Sequence, residues 1–325
     1  MQTEAQTTPE HDYEILTRDA GVLDRSARGK LDVLGEDAFE YLQGQVTNDV
    51  ESLTPGTGCY AAILNPKGHI LADLRVLARA SGELWLDTEA ATLDAALADL
   101  RMYKIGRRVD IADRTGERAL LSLIGPVADQ VARDALGLAQ LPGTEHEFVE
   151  GEIGGAPAVL VRTDIGFDLL LDGPQAERAV ETLVGHRAAV VGETAAEILR
   201  IEGGRPRFGI DMGIDNLPAE VGIVDRAVSF TKGCYVGQEP VARMHYKGRP
   251  NRHLRGVALE QALAGGEELF AGEKSVGRVT SACVSPALGP IGLALVRREI
   301  APGDEVSVGR DGNPARIVEL PFERS

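Results

Sequence analysis

The sequence predicts an α+β protein with largely antiparallel sheets and a small all-β domain at its C-terminal end. Three observations predict it. Strand-like and helix-like segments are interspersed without the regular strand–helix–strand rhythm of a parallel sheet. After about Arg252 the helical spacing disappears. From there short alternating runs recur between Gly, Pro and Asp turns, the pattern of a small sandwich or barrel. A length of 325 residues sets roughly two or three domains.

Residues 1–12 are polar and acidic and read as a disordered tail without the basic start and apolar core of a signal peptide. Residues 36–50 carry Phe39, Leu42 and Val46 at helical spacing, and the helix ends among Gly44-Gln45 and Thr47-Asn48-Asp49. Residues 58–64 and 70–78 read as strands joined by an Asn65-Pro66-Lys67-Gly68 turn, with a further strand over 83–87. Residues 88–103 read as a helix capped by Thr88, with Glu89 favourable in its first turn. Strands follow over 107–112 and 118–124, and Gly125-Pro126 opens a helix to about residue 136. Residues 148–171 form a group of short strands, and 175–185 and 193–201 are helices. The β-domain shows strands over 254–259, 275–284, 291–296, 305–308 and 315–319.

Composition narrows the function. Hydrophobic residues make up 43% and charged residues 26%, as in soluble globular proteins. No apolar run approaches the roughly 20 residues that span a bilayer. A formal charge of −16 argues against a general nucleic-acid or membrane binder, while a local basic patch remains a place for an anion. Cys59, Cys234 and Cys283 are too far apart in sequence for a disulfide framework or a zinc site. A reducing compartment, the cytoplasm, and no protein-only metal site are the expectation.

Reactive chemistry concentrates in residues 229–255. In Lys232-Gly233-Cys234-Tyr235-Val236-Gly237-Gln238-Glu239 a cation stands two residues before a thiol, and a nearby cation favours the thiolate. The plainer alternative is an inert cysteine on a glycine-rich turn. One cysteine cannot by itself hold an iron–sulphur cluster, which takes about four ligands. Residues 243–255 then carry five Lys/Arg and two His without an acid. A phosphate, a polyglutamate tail or an RNA backbone suits them, and so does the role of a solvated connector. Asp73 interrupts the apolar run ILADLRVL, either to face a cleft or to pair with Arg75 or Arg101. Gly166-Phe167-Asp168 and Ile201-Glu202-Gly203-Gly204-Arg205 each set an acid beside a glycine, a weak signal alone.

TKGCYVGQEPVAR, with the following YKGRPNRHLRG, resembles the signature of the YgfZ folate-binding family. That family is related to the glycine-cleavage T protein, an aminomethyltransferase, and its mitochondrial relatives serve iron–sulphur protein maturation. YLQGQVTNDV, LNPKGHILADLRV, YKIGRRVDIAD, ILRIEGGRPRFGID and LPAEVG follow in the family's order, so the resemblance covers residues 25–325. It implies an aminomethyltransferase-like folate-binding core of two interleaved α+β subdomains over 13–250 and a small β-barrel over 251–325. The implied ligand is tetrahydrofolate or a one-carbon derivative. The implied role is assembly or repair of iron–sulphur proteins, tRNA-thiolating enzymes among them, with client or assembly proteins as partners. Whether the chain catalyses a reaction stays open: a classical enzyme is not the first expectation, and if it is one it is a folate-dependent one-carbon or aminomethyl transferase. A membrane and direct nucleic-acid binding are not expected.

Family roles carry over to Lys232, Gly233, Cys234, Gly237, Gln238 and Glu239, with Cys234 as the functional thiol and Lys232 and Asp73 beside it in the chemistry. For the folate, Asp168 and Asp73 would accept hydrogen bonds from the pterin and Phe167 and Tyr235 would stack on it. Gln238, Glu239 and Arg205 would complete that site. The T proteins carry two adjacent aspartates where this chain has Ala72-Asp73, and an arginine where it has Ala196, four residues before Arg200. Their pterin acid is longer by one methylene than Asp168, and they lack the motif cysteine. These departures favour the YgfZ branch. The alternatives are an aminomethyltransferase of glycine cleavage and a non-catalytic module that binds RNA or a partner through residues 243–255.

Overall fold

The computed structural model describes residues 8–80, 82–310 and 312–323. They form two compact units. The first holds the described residues up to Ile63 together with Ala72–Ala196 and Lys232–Cys234. The second holds Leu64–Leu71, Glu197–Thr231 and the described residues from Tyr235 onward.

The first unit is built on two sheets. One has five strands in the order Thr57–Leu64, Ile70–Ala80, Glu83–Thr88, Gly29–Leu34, Asp110–Asp113. The other has six, in the order Ala189–Val190, Gly21–Asp24, Arg118–Ile124, Gly166–Asp172, Ala156–Thr163, Phe148–Ile153. Its ladders are antiparallel except where Gly21–Asp24 runs parallel to Ala189–Val190. Strand alternation decides what each face of the six-stranded sheet covers. Leu121, Leu123, Leu160, Phe167 and Leu169 pack on one side with Ala128, Val131, Ala179 and Leu183 from the helices Ala128–Leu136 and Ala176–Gly185. Leu120, Val159, Val161 and Leu170 pack on the other side with Leu77 and Trp85 of the five-stranded sheet. The two sheets therefore meet face to face, and each fully buried Leu there contributes about 1.5–3 kcal/mol.

In the second unit six strands close a barrel, ordered Arg252–Leu259, Gly289–Arg297, Lys274–Ser285, Glu268–Ala271, Glu305–Val308, Asn313–Val318. Val257, Val279, Ala294, Val296 and Ile317 fill its interior. Five of these strands are readable in the sequence. The strand Glu268–Ala271 is the one not read from the sequence.

Two expectations need correction. The disordered tail does not reach residue 12, because Pro9–Arg18 is a helix. Thr8 Oγ1 accepts from His11 N at 3.3 Å, Pro9 opens the first turn, and Tyr13 and Leu16 are buried. The first seven residues lie outside the described ones. The stretch after the motif cysteine is not a turn and connector alone, because Gln238–Lys247 is a helix. Gly237 starts it at φ 81°, where a Cβ would lie 2.6 Å from the Asn65 carbonyl oxygen. Only glycine tolerates that approach. Among the described residues no helix is long and apolar enough to cross a membrane.

Candidate active site

Asp73 lies on Ile70–Ala80 and shares a face with Arg75 two residues on. The Tyr60 hydroxyl, from the strand Thr57–Leu64, donates to Asp73 Oδ2 at 2.8 Å. Asp73 Oδ1 is buried and has no hydrogen-bond partner among the described residues. Burial pushes this carboxyl above its usual range, although the Tyr60 bond and the Arg28 charge act the other way. One oxygen is thus fixed and the other is left to accept an N–H or to carry a proton.

A dense charge cluster surrounds it. Arg75 donates from Nε to Asp87 Oδ2 at 2.6 Å and from Nη1 to Asp168 Oδ2 at 2.8 Å. Arg28 reaches Asp87 Oδ1 at 3.0 and 3.2 Å and also pairs with Glu89. Burial opposes the charge on Arg28, yet Asp87 and Glu89 raise its pKa further. Burial likewise opposes ionisation of Asp87, and Arg75 and Arg28 overcome it, holding that carboxyl below its usual range. Asp73, Asp87, Glu89 and Asp168 face Arg28 and Arg75, and the charge of Lys30 reaches Asp87 as well, so acids and cations interleave in this cluster. Neither Arg75 nor Arg101 takes the Asp73 carboxylate: Arg75 is engaged by Asp87 and Asp168, and Arg101 donates to Ile111 O.

Asp168 and Phe167 do not form the expected pterin cradle. Asp168 already accepts from Arg75 and, at 2.6 Å, from Ser122 Oγ. Phe167 points to the opposite face, 0% exposed in the helix-covered core, with the Arg162 guanidinium 4.1 Å from its ring centroid. Adjacent residues of one strand cannot line one pocket. Gly166 precedes them for a backbone reason, since a Cβ there would lie 2.1 Å from Leu123 O. Phe167→Leu is expected to cost about 1 kcal/mol in urea unfolding and to leave tetrahydrofolate affinity, read by calorimetry, within about twofold.

Lys232 is placed differently from the sequence expectation as well. Its buried ammonium donates to Val46 O at 2.6 Å and to Gln43 O, at the C-terminal end of the helix Ala38–Gln43, where a cation is favoured. Burial lowers its pKa to about 8, with Asp49 acting against the drop. The thiol that feels this charge is Cys59, which burial nonetheless pushes up to about 12. Cys234 is exposed, and among the described residues its thiol has neither hydrogen bond nor ion pair. Lys232 therefore braces the Gln43–Val46 loop rather than activating Cys234. In the second unit Tyr235 is buried, its phenol pushed up by burial to about 12. Gln238 and Glu239 open the helix Gln238–Lys247, with Gln238 half-buried and Glu239 exposed. The Arg205 carbonyl accepts from Arg200 Nη1, and its side chain is half-buried.

A family model for the GCVT N-terminal domain matches residues 2–232, and one for the glycine cleavage T-protein C-terminal barrel domain matches 252–323. The chain belongs to the glycine cleavage T-protein family. An aminomethyltransferase of Rubrobacter xylanophilus is 33% identical over 325 residues, 96% of this chain and 86% of that protein. One of Moorella thermoacetica is 31% identical over 94% of this chain and 87% of that protein. The crystal structure of glycine cleavage system aminomethyltransferase T from Bartonella henselae superposes with a TM-score of 0.88 at 26% identity, over 97% of this chain and 90% of that one. These similarities run through nearly the whole chain to proteins called aminomethyltransferase. They overturn the iron–sulphur maturation role, which the motif cysteine and the departures at Ala72 and Ala196 favoured, and leave the iron–sulphur partners and the tRNA connection without support.

Within the glycine cleavage T-protein family the departure at Ala72 now has a physical reading. Ala72 is 0% exposed and points away from the face that carries Asp73. A missing aspartate there takes nothing from the Asp73 side. Tyr60, Arg28, Asp87 and Glu89 belong to the site and were not singled out from the sequence. The one local signal for them is the polar run Asp87-Thr88-Glu89 closing an apolar strand.

Proposed function

We propose that this chain is an aminomethyltransferase that delivers the carbon of a carrier-borne aminomethyl group to tetrahydrofolate and releases its nitrogen as ammonia. The whole-chain likeness to aminomethyltransferases supports the reaction class. The observation that carries the reading is the buried, unpartnered Oδ1 of Asp73. A buried acceptor without a partner fits a ligand that brings N–H groups or an amine. Asp168 and Phe167 add nothing to that fit. The folate, when bound, supplies the nitrogen that takes up the one-carbon unit. Asp73 accepts an N–H or a proton at Oδ1 while Tyr60 holds Oδ2 in place. Arg75 and Arg28 restrain Asp87 and Asp168, so the strand that carries Asp73 stays rigid. Purified protein mixed with aminomethyl-loaded lipoyl carrier protein and tetrahydrofolate is expected to release ammonia in step with loss of the aminomethyl group. No turnover with a folded preparation overturns the reading.

A further inference from the structure

Three arginines stand together on the outer wall of the barrel. Val257, Val279 and Val296 point into its core, so Arg252, Arg278 and Arg297 project outward by strand alternation. The ladders set Arg252 directly opposite Arg297, and Arg278 opposite Leu295, two residues before Arg297. All three are exposed on one face. Among the described residues none of their side chains has an ion pair or hydrogen bond. Like charges directly opposite destabilise an antiparallel pair. The chain has 50 acidic residues against 34 basic ones, yet among the described residues no carboxylate forms an ion pair with Arg252 or Arg297; Glu299, whose charge reaches Arg297, is itself paired with Lys274.

The three arginines line a cleft of about 570 Å³ whose other wall is the segment over 209–216. Its acids do not cancel them. Asp211 is engaged internally by Arg200, Thr280 and Ser281. Glu268 stands opposite Arg278 and accepts from Ser275 Oγ at 3.4 Å, and Asp215 is exposed at the rim. The Arg252–Arg297 pair keeps no carboxylate across from it. Guanidinium forks grip phosphate and carboxylate oxygens bidentately. We propose that this cleft binds a small, multiply charged anion, a phosphate ester or a polycarboxylate, with Arg252 and Arg297 as paired grips and Arg278 as a third contact. A bound anion offsets the like-charge pairing that the empty ladder carries.

Calorimetry on the full chain at low salt, with inorganic pyrophosphate and with citrate as probes, tests this. One equivalent of at least one probe is expected to bind, and the one preferred assigns phosphate or carboxylate chemistry. The Arg252→Gln/Arg297→Gln variant is expected to bind at least about tenfold more weakly, as loss of two charged hydrogen-bonding groups implies. Arg278→Gln alone is expected to weaken binding by less. Arg310→Gln/Arg316→Gln removes equal charge elsewhere on the barrel and is expected to change affinity less than about twofold. No binding of either probe by the wild type overturns the site. So does an equal loss in the two double variants, which would mean diffuse charge attraction only.

Discussion

Replacing Asp73 with Asn is expected to slow aminomethyl transfer by about 10²–10⁴-fold, the range of a positioned proton-transfer group. The same change is expected to leave the fold as stable as the wild type or more so. The two halves have one cause. Asn keeps the shape and an oxygen for Tyr60 but cannot carry the charge that Oδ1 offers. Burial raises the folded-state pKa of Asp73 above its unfolded value. Between the two values the folded chain binds more protons than the unfolded chain. The stability this group contributes is therefore full below the unfolded pKa and is lost as pH rises through the folded one. Above the folded pKa the ionised carboxylate opposes folding, and Asn removes that opposition. Activity runs the other way, because the acceptor must be ionised, so wild-type turnover falls as pH drops through the raised pKa. Ammonia-release rates and urea midpoints followed upward in pH from the ordinary carboxylate range read both slopes. An Asp73→Asn protein that keeps turnover within about threefold, or unfolds more readily by over about 1 kcal/mol, would remove Asp73 from the chemistry.

Asp73 is legible in the sequence because a charge inside ILADLRVL breaks an apolar run, and only function or pairing explains it. Its neighbours are not legible. Tyr60, Arg28 and Asp87 come from three other parts of the chain, and strand register brings them together. Register is a tertiary property that no local pattern states. Phe167-Asp168 shows the opposite failure. Read as one motif the pair looks like a ligand cradle, yet alternation sends the ring into the core and the acid to the other sheet. Lys232 and Cys234 separate in the same way, since residues two apart in an irregular segment need not point together. The helix Gln238–Lys247 is hidden by Gly237, Pro240 and Gly248, which look like breakers. Proline in a first turn loses no hydrogen bond, and glycine at either end helps the helix start and stop. The barrel is legible because its strands are short, alternating and regularly punctuated, apart from Glu268–Ala271. The sequence points to the wrong branch because the motif cysteine and the departures at Ala72 and Ala196 weigh toward YgfZ, whereas the relatives matched over nearly the whole chain are aminomethyltransferases.

Arg75→Met is expected to cost about 3–5 kcal/mol, the penalty for breaking a buried ion pair by removing one partner. Arg75 is 8% exposed and Asp87 4%, and the arginine ties strand Ile70–Ala80 both to its neighbour and, through Asp168, to the six-stranded sheet. Without it Asp87 keeps Arg28 and the more distant charge of Lys30. Asp168 keeps only the Ser122 hydroxyl, a hydrogen bond without a compensating charge. If that stranded charge is the main cost, Arg75→Met/Asp168→Asn should be less destabilised than the sum of the two single variants. The double-mutant cycle then gives a coupling of about 1–3 kcal/mol. The pH dependence has a definite sign. Burial pushes Asp87 up, but Arg75 and Arg28 hold it below its unfolded value. The stability it contributes is present above the unfolded pKa and is lost as pH falls through the folded one. The variant has less of this to lose, so its deficit against the wild type narrows on acidification. Urea unfolding at about pH 7 and about pH 3 measures the change. A deficit under about 1 kcal/mol, or one that widens in acid, would mean that apolar contacts such as Leu77 and Trp85 against Leu120 and Leu170 join the sheets without help from the charges.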